Sequence, residues 1–174
     1  MIYFTSDTHF GHANIIKYSK RPFADVNAMD EALIHNWNSV VGMDDTIYHL
    51  GDFAFSKNPG KYFYRLNGNK YLISGNHDKR NALDLPWNKV YSYLEVHVDG
   101  EKVILFHYGC RVWNGSHHGR VQLYGHSHGG LPGTNQSCDV GVDCWDYKPV
   151  TFSQIRKRLL TLPKYRQEDY HEIR

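Results

Sequence analysis

The sequence of 174 residues has little cysteine, no long apolar run and no marked excess of either charge. Its three cysteines, Cys110, Cys138 and Cys144, are an odd number without paired spacing, so we do not expect a disulfide framework. No apolar run approaches the roughly 20 residues that cross a bilayer, so no membrane span is expected. The N-terminus also lacks the basic start and apolar stretch of a signal peptide, and these features together predict a cytoplasmic protein.

Charge by itself identifies no partner. The 20 Lys and Arg residues are scattered among 18 Asp and Glu residues, which gives a net charge of +2. Binding of nucleic acid is therefore neither indicated nor excluded. A hydrophobic content of 41% is enough for an ordinary core. We expect residues 1–174 to form one domain, with a polar tail after about residue 163 that contributes little.

Histidine, by contrast, is abundant, with 12 residues in the chain. Several of these histidines follow short apolar runs that predict β-strands, and acidic or amide residues stand beside them. Because ligands in open α/β sheets bind beyond the carboxyl ends of the strands, we expect these polar side chains to converge. In chain order, the polar residues that follow the five predicted strands are Asp7 and His9, Asp52, Asn76 and His77, His107, and His126 and His128.

The segments between the strands predict an α/β protein with mixed sheets. An apolar helical face ends at Gly42, with Asn27 as its expected N-cap, and residues 59–66 predict a shorter helix. Asp99-Gly100 between two apolar runs is a strong hairpin signal, so antiparallel strands are expected after the third parallel strand. Residues 151–154 have the pattern of a capping box that begins a C-terminal helix.

The polar set favours a pair of divalent cations. Carboxylate and imidazole together bind first-row ions such as Mn, Fe, Co, Ni or Zn. A carboxylate can bridge two ions and a histidine nitrogen cannot, which makes Asp52 the natural bridge. Each motif alone is common in ordinary loops, and it is their occurrence in order after five strands that indicates a site.

The motifs in chain order are Asp7-x-His9, Gly51-Asp52, Gly75-Asn76-His77-Asp78, His107 and Gly125-His126-x-His128. This series, over about residues 1–143, resembles the calcineurin-like metallophosphoesterases, and most closely their small bacterial and phage members. The resemblance implies a four-layer α-β-β-α sandwich with two sheets between helices, two divalent metal ions, and a catalytic His77 that is not a ligand. It implies that one ion is held by Asp7, His9, Asp52 and His128, and the other by Asp52, Asn76, His107 and His126.

The sequence departs from the family pattern at one place. Many relatives extend Gly-Asp into Gly-Asp-x-x-Asp-Arg, in which the second aspartate orients the catalytic histidine and the arginine binds phosphate. Phe55 and Ser56 stand at those two positions here. A phosphomonoester carries one more negative charge than a diester and usually requires such an arginine. We therefore expect phosphodiesters to be favoured.

Substrate contacts are expected from two loops. His12 follows the first ligands closely, and its alternative role is to cap the turn that follows it. The segment between His107 and His126 is polar and aromatic, and its alternative is a solvated surface loop. Its candidate substrate-binding residues are Arg111, His117, His118 and Arg120.

The expected function is a divalent-metal-dependent phosphohydrolase that acts on a small phosphoester, favouring diesters. One alternative is a non-catalytic metal-binding scaffold of the same fold, and others are a phosphomonoesterase or a nuclease. The presence of His77 favours the enzyme, because a scaffold has no need of a catalytic histidine that binds no metal. A nuclease would require a groove lined with basic and aromatic residues.

Overall fold

The computed structural model describes residues 1–165, and within them nine strands form two sheets. Most of the predicted polar tail therefore lies outside the described residues. The strands are β1 (Ile2–Thr5), β2 (Thr46–His49), β3 (Asn69–Ile73), β4 (Lys89–Tyr91), β5 (Tyr93–Val98), β6 (Glu101–Phe106), β7 (Val121–Tyr124), β8 (Ser137–Asp139) and β9 (Val150–Thr151). The helices are α1 (Ala13–Tyr18), α2 (Val26–Asn38), α3 (Gly60–Phe63), α4 (Arg80–Leu83) and α5 (Phe152–Leu159).

The first sheet has the strand order β4-β3-β2-β1-β9, in which β1 to β4 are parallel and β9 is antiparallel to β1. Successive side chains of a strand point to opposite faces, and both faces of this sheet are covered. Tyr3 and Ile47 enter the core on the side of α1, α2 and α3. Phe4 and Ile73 enter a second core that faces the other sheet. This burial on both faces explains the nearly continuous apolar runs.

The second sheet has the order β5-β6-β7-β8. Strands β5 and β6 form an antiparallel hairpin, and β6, β7 and β8 are parallel. At the hairpin turn Asp99 and Gly100 have φ angles of 51° and 81°, which confirms the turn predicted from the sequence. Val103 and Leu123 of this sheet pack into the core shared with Phe4. The predicted α/β fold with two mixed sheets is thus confirmed.

The outer face of the second sheet is covered by the loop of residues 107–120. Gln122 of β7 is fully buried, and its side chain hydrogen bonds to the carbonyl of Tyr108 and the N–H of Cys110. Regular structure in this loop consists of the 3-10 turn Ser116–His118. Helix α5 packs against β1, β8 and β9 and contributes apolar side chains to the core between the sheets. Within residues 1–165, the layer outside the second sheet is therefore formed by this loop.

The helix boundaries agree in part with the sequence prediction. The capping box at Thr151 and Gln154 is present and begins α5. Helix α2 begins after Asp25, whose carboxylate accepts the N–H of Ala28, so the expected N-cap at Asn27 was wrong by two residues. Helix α2 also ends at Asn38, before the predicted end at Gly42. None of the helices within residues 1–165 has the length and apolarity that crossing a membrane requires.

Candidate metal centre

The polar residues that follow the strand ends meet at one edge of the two sheets, in two groups. The first ligand group is Asp7, His9 and His128, and the second is Asp52, His107 and His126. Within each group the candidate ligand atoms all lie within 4.8 Å of one another. Asn76 adjoins the second group, because its Oδ1 lies 3.1 Å from Nε2 of His107. The family resemblance implies the same residues as ligands, with Asp52 belonging to both sets, and their binding of metal stays a prediction.

Asp52 connects the two groups. Its Oδ2 lies 3.6 Å from Nε2 of His9 in the first group and 3.6 Å from Nε2 of His107 in the second. Its other oxygen, Oδ1, accepts the backbone N–H of His77 at 2.8 Å. One carboxylate oxygen thus faces both groups at equal distance. This arrangement suits a carboxylate shared between two cations.

Five of the candidate ligands have a left-handed backbone, which non-glycine residues seldom adopt. Such conformations cost on the order of 1–3 kcal/mol each and are concentrated at functional sites. Hydrogen bonds between the loops stabilise them, since Asp7 N–H donates to Gly51 O and His9 N–H donates to Asp52 O, both at 3.0 Å. The positive φ angles are Asp7 56°, His9 50°, Asp52 57°, His126 65° and His128 47°.

Two glycines allow the loops to pack backbone against side chain. Gly51 has a φ of 98°, and a Cβ there would lie 2.5 Å from Nδ1 of His107. A Cβ on Gly125 would collide with the side chains of Ser6 and Asp7. The glycines that precede the ligands in the Gly51-Asp52 and Gly125-His126 motifs are therefore required by close packing around the centre.

Arg21 and Asp143 support the first ligand group. Arg21 binds both oxygens of Asp143, with Nε–Oδ1 and Nη2–Oδ2 distances of 2.8 Å, and also donates to the carbonyls of Asp7 and Thr8. Oδ2 of Asp143 lies 2.7 Å from Nδ1 of His128. A carboxylate on one ring nitrogen directs the other nitrogen towards a metal. Burial alone would lower the pKa of His128, but the hydrogen bond to Asp143 and the charge of Asp7 raise it above its ordinary value.

Burial leaves polar atoms of the first group without partners. Oδ1 of Asp7 and both ring nitrogens of His9 are buried and make no hydrogen bond to any described residue. Burial raises the pKa of Asp7 well above its ordinary value and lowers the pKa of His9 to about 2. Buried polar atoms are nearly always satisfied in proteins. A divalent cation would satisfy a carboxylate oxygen and a neutral imidazole together, so the residues present fit a metal ion.

Asp78 joins the loops that follow β2 and β3. Its Oδ2 accepts the N–H groups of Asp52 and Gly75, each at 2.8 Å, and its Oδ1 accepts that of Phe53 at 2.9 Å. Burial raises the pKa of Asp78, although these backbone hydrogen bonds oppose the increase. The last residue of the Gly-Asn-His-Asp motif thus has a structural role. The sequence contained the motif but no indication of this role.

His77 is exposed and lies outside both ligand groups. In the described chain its ring makes no hydrogen bond, and its neighbours are other rings. The edge-on contacts to Phe55 and His9 have centroid distances of 5.9 and 5.7 Å. His12 stacks on Phe55 at 4.5 Å. Phe55 therefore contacts His77 through its ring.

A cavity of about 600 Å³ opens over the two groups. His12 occupies the N-cap position of α1, but its side chain makes no capping hydrogen bond and instead lines the cavity. The walls supplied by Tyr18, Ser19 and Lys20 were not predicted, because α1 has no clear periodic signal in the sequence. The lining residues are His9, His12, Ile15, Tyr18, Ser19, Lys20, Asp52, His77, His126, Ser127, His128 and Gly130.

The other candidate substrate contacts lie on the loop of residues 107–120. Arg111, His117 and His118 are exposed, and the backbone N–H of Arg120 bonds to the carbonyl of Gly115. These four residues are not among the described residues that line the cavity. Their role in substrate binding stays a prediction.

Comparison with known proteins shows the family to which the chain belongs. The chain is 38% identical over 167 residues to the uncharacterized protein MJ1445 of Methanocaldococcus jannaschii, covering 90% of this chain and 89% of that protein. The chain belongs to the family of MJ1445. No protein-family model matches this chain.

Two further similarities extend over nearly the whole chain. The gene 66 protein of Mycobacterium phage D29 is 28% identical over 192 residues, covering 90% of this chain and 94% of the phage protein. The crystal structure of AQ665 from Aquifex aeolicus, a protein of unknown function, superimposes with a TM-score of 0.73 at 26% identity. That similarity covers 91% of this chain and 98% of AQ665. The fold of AQ665 is thus shared over most of both chains.

Proposed function

We propose that this protein is a divalent-metal-dependent phosphohydrolase with a dinuclear centre, and that it favours phosphodiesters. The observation that supports this most directly is the position of Asp52, whose Oδ2 faces both ligand groups at 3.6 Å. Imidazole and carboxylate ligands suit Mn, Fe, Ni, Co or Zn. The first ion would be held by Asp7, His9, Asp52 and His128, and the second by Asp52, Asn76, His107 and His126.

When bound, two such ions would activate a water molecule and offset the negative charge of the phosphoryl group. The water oxygen would bond to phosphorus as the ester P–O bond breaks, and the proton that the water loses would pass to solvent. His77, exposed in the cavity wall and without a hydrogen-bond partner in the described chain, donates a proton to the departing oxygen. His12 and Lys20, which line the same cavity, offer N–H donors to the phosphoryl oxygens.

The diester preference depends on charge. Among the described residues that line the large cavity, Lys20 is the one Lys or Arg. Ser56 stands where many relatives have the arginine that binds phosphate. A monoester dianion requires more cationic groups than a diester monoanion, so the diester is the better match to this cavity.

The test is kinetic. Protein treated with EDTA is reloaded with Mn, Ni, Co, Zn or Fe, and kcat/KM is measured for an aryl phosphodiester and the matching monoester. Chelation is expected to abolish hydrolysis, and reloading is expected to restore it with the diester preferred. Full activity in metal-free protein would contradict metal dependence, and a tenfold preference for the monoester would contradict the diester assignment. Two bound ions without hydrolysis of either ester would favour the scaffold alternative.

A further inference from the structure

A second, smaller cavity of about 210 Å³ lies beside His77. Within residues 1–165 it shares a single lining residue, His77, with the larger cavity over the ligand groups. The side chain proposed to donate the proton is therefore the wall between the two spaces. The residues that line the smaller cavity are Ala54, Phe55, Ser56, Lys57, His77, Lys79 and Asn81.

The smaller cavity has a cationic lining. It includes Lys57 and Lys79, both exposed, and the described lining residues include no carboxylate. Nζ of Lys79 lies 5.5 Å from the centroid of the Phe55 ring. A cation–π contact of this kind favours an ammonium position over the ring. The cavity therefore presents positive charge next to the site of proton transfer.

The walls of this cavity are held by contacts within the protein. Nδ2 of Asn81 donates to the carbonyls of Ser56 at 2.8 Å and Lys57 at 3.3 Å, which fixes the loop that follows Phe55. The ring of Phe55 is stacked on that of His12, with ring centroids 4.5 Å apart. The shape of the cavity thus does not depend on a bound ligand.

We propose that the smaller cavity binds a phosphate group carried by the leaving group of the substrate, with Lys57 and Lys79 as its cationic partners. The inference rests on the proposed function, because a proton donor must lie beside the departing oxygen, and the departing group then extends past His77. Lysine ammonium groups are common phosphate ligands, and two of them offset a dianion. The substrate class is accordingly a phosphodiester whose leaving group has its own terminal phosphate.

Binding is tested first, without metal. Isothermal titration calorimetry in EDTA compares 4-hydroxybenzylphosphonate, whose C–P bond resists hydrolysis, with 4-hydroxyphenylacetate and 4-ethylphenol. The phosphonate is expected to bind most tightly and the neutral phenol most weakly. The double variant Lys57→Gln/Lys79→Gln should weaken phosphonate binding by about tenfold, the scale for losing two exposed ion pairs. Equal binding of the three phenols, or of the phosphonate by wild type and double variant, would overturn the proposal.

Lys89→Gln is the matched control. Lys89 is also an exposed lysine, with Nζ 5.1 Å from the centroid of Tyr91, but it does not line the smaller cavity. Its replacement should leave phosphonate binding unchanged. If Lys89→Gln weakened binding as much as the double variant, the effect would be one of net charge and the site assignment would be wrong.

Hydrolysis is tested with the metal-loaded protein and the methyl phosphodiesters of the same three phenols. The double variant should lower kcat/KM for the phosphonate-bearing ester by about tenfold and leave the ethylphenyl ester within about twofold. If all three esters were hydrolysed and the double variant left every kcat/KM unchanged, the anion site would be contradicted but the proposed function would not. Selective phosphonate binding without hydrolysis of any ester would support the anion site and contradict the proposed function.

Discussion

The two ligand groups differ in how the protein holds them. In the first group Asp7 and His9 are almost completely buried, and His128 is fixed through Asp143 and Arg21. In the second group His126 is exposed, and its ring has no hydrogen-bond partner in the part of the chain described here. Ligands that are buried and hydrogen bonded to supporting residues are preorganised for a cation. Ligands that are more exposed can change position as solvent and substrate do. In the proposed two-ion centre, we therefore expect the first ion to be held more tightly than the second.

The second group is fixed mainly at its base. Nδ1–H of His107 donates to the carbonyl of Leu50 at 2.7 Å, and this histidine is fully buried. The backbone N–H of His126 donates to Oδ2 of Asp7 at 2.8 Å, which ties the second group to the first. Burial, together with the nearby His107, lowers the pKa of the His126 ring. The open side of the second group therefore faces the cavity in which substrate would bind.

The largest effect on metal content and hydrolysis is expected from a variant that removes the link between the two ligand groups. Asp52→Asn keeps an oxygen to accept the His77 N–H but loses the charge shared between the two sets. We expect metal content to fall from two ions per chain to one or fewer and hydrolysis to fall below detection, as measured by elemental analysis and a diester assay. Asp84→Asn, an exposed carboxylate away from the centre, is the control. Retention of two ions by Asp52→Asn would contradict its bridging role.

The next largest effect is expected from a variant that lowers the rate of catalysis without changing metal binding by either ligand group. Because His77 belongs to neither group, His77→Ala should lower kcat by roughly two to four orders of magnitude, the range for loss of a general acid. Metal content should remain at the wild-type value. His35→Ala, an exposed histidine on α2, should change neither quantity. Loss of metal from His77→Ala would show that His77 is a ligand.

A smaller effect is expected from a variant that weakens metal binding by the first ligand group alone. Asp143→Asn removes the carboxylate behind His128 and weakens the hold of Arg21 on the same loop. Loss of such a supporting partner typically lowers metal affinity by about 10- to 100-fold. Metal titration should therefore show one weakened site and one unchanged site. Asp146→Asn, an exposed acid in the same segment, provides the control, and equal weakening of both sites would erase the proposed difference between the groups.

The smallest expected effect is on the pH dependence of stability, and it arises from His49, beside the loops that carry both ligand groups. His49 is fully buried between them, with Nε2 2.9 Å from Thr8 Oγ1 and Nδ1 accepting the N–H of Gly51 at 3.2 Å. Burial, with a smaller contribution from His107, lowers the pKa of His49 to about 3. Between that value and the ordinary pKa of about 6.5, the unfolded chain binds a proton that the folded chain does not. Stability is therefore lost as the pH falls through this window.

Urea unfolding of metal-free protein at several pH values between 7 and 5 measures this loss. One such group contributes at most about 1.4 kcal/mol per pH unit. His49→Gln retains a donor and an acceptor without titrating, so its free energy of unfolding should fall less steeply with decreasing pH than that of the wild type. If the free energy of unfolding depended on pH in the same way in both proteins, His49 would not be a source of this pH dependence.

The chain order of the ligands was predictable because each lies directly after a short apolar run. Strand patterns are local, and the rule that ligands gather beyond the carboxyl ends of strands places them together without further information. The Asp99-Gly100 turn and the capping box at Thr151 were predictable for the same reason, since each depends on a few adjacent residues. The sequence by itself thus determined the α/β class and the strand ends that carry the candidate ligands.

The tertiary structure decided how those residues are supported and what surrounds them. Arg21 and Asp143 are 122 positions apart, and nothing in either segment indicates that they meet. The smaller cavity likewise combines Lys57 and Lys79 from the loops after two neighbouring strands, whereas the sequence pointed to Arg111 and Arg120 for cationic contacts. Such contacts depend on the packing of two sheets and on left-handed backbone at the ligands. No local residue pattern encodes them, because they arise only when distant segments are packed together.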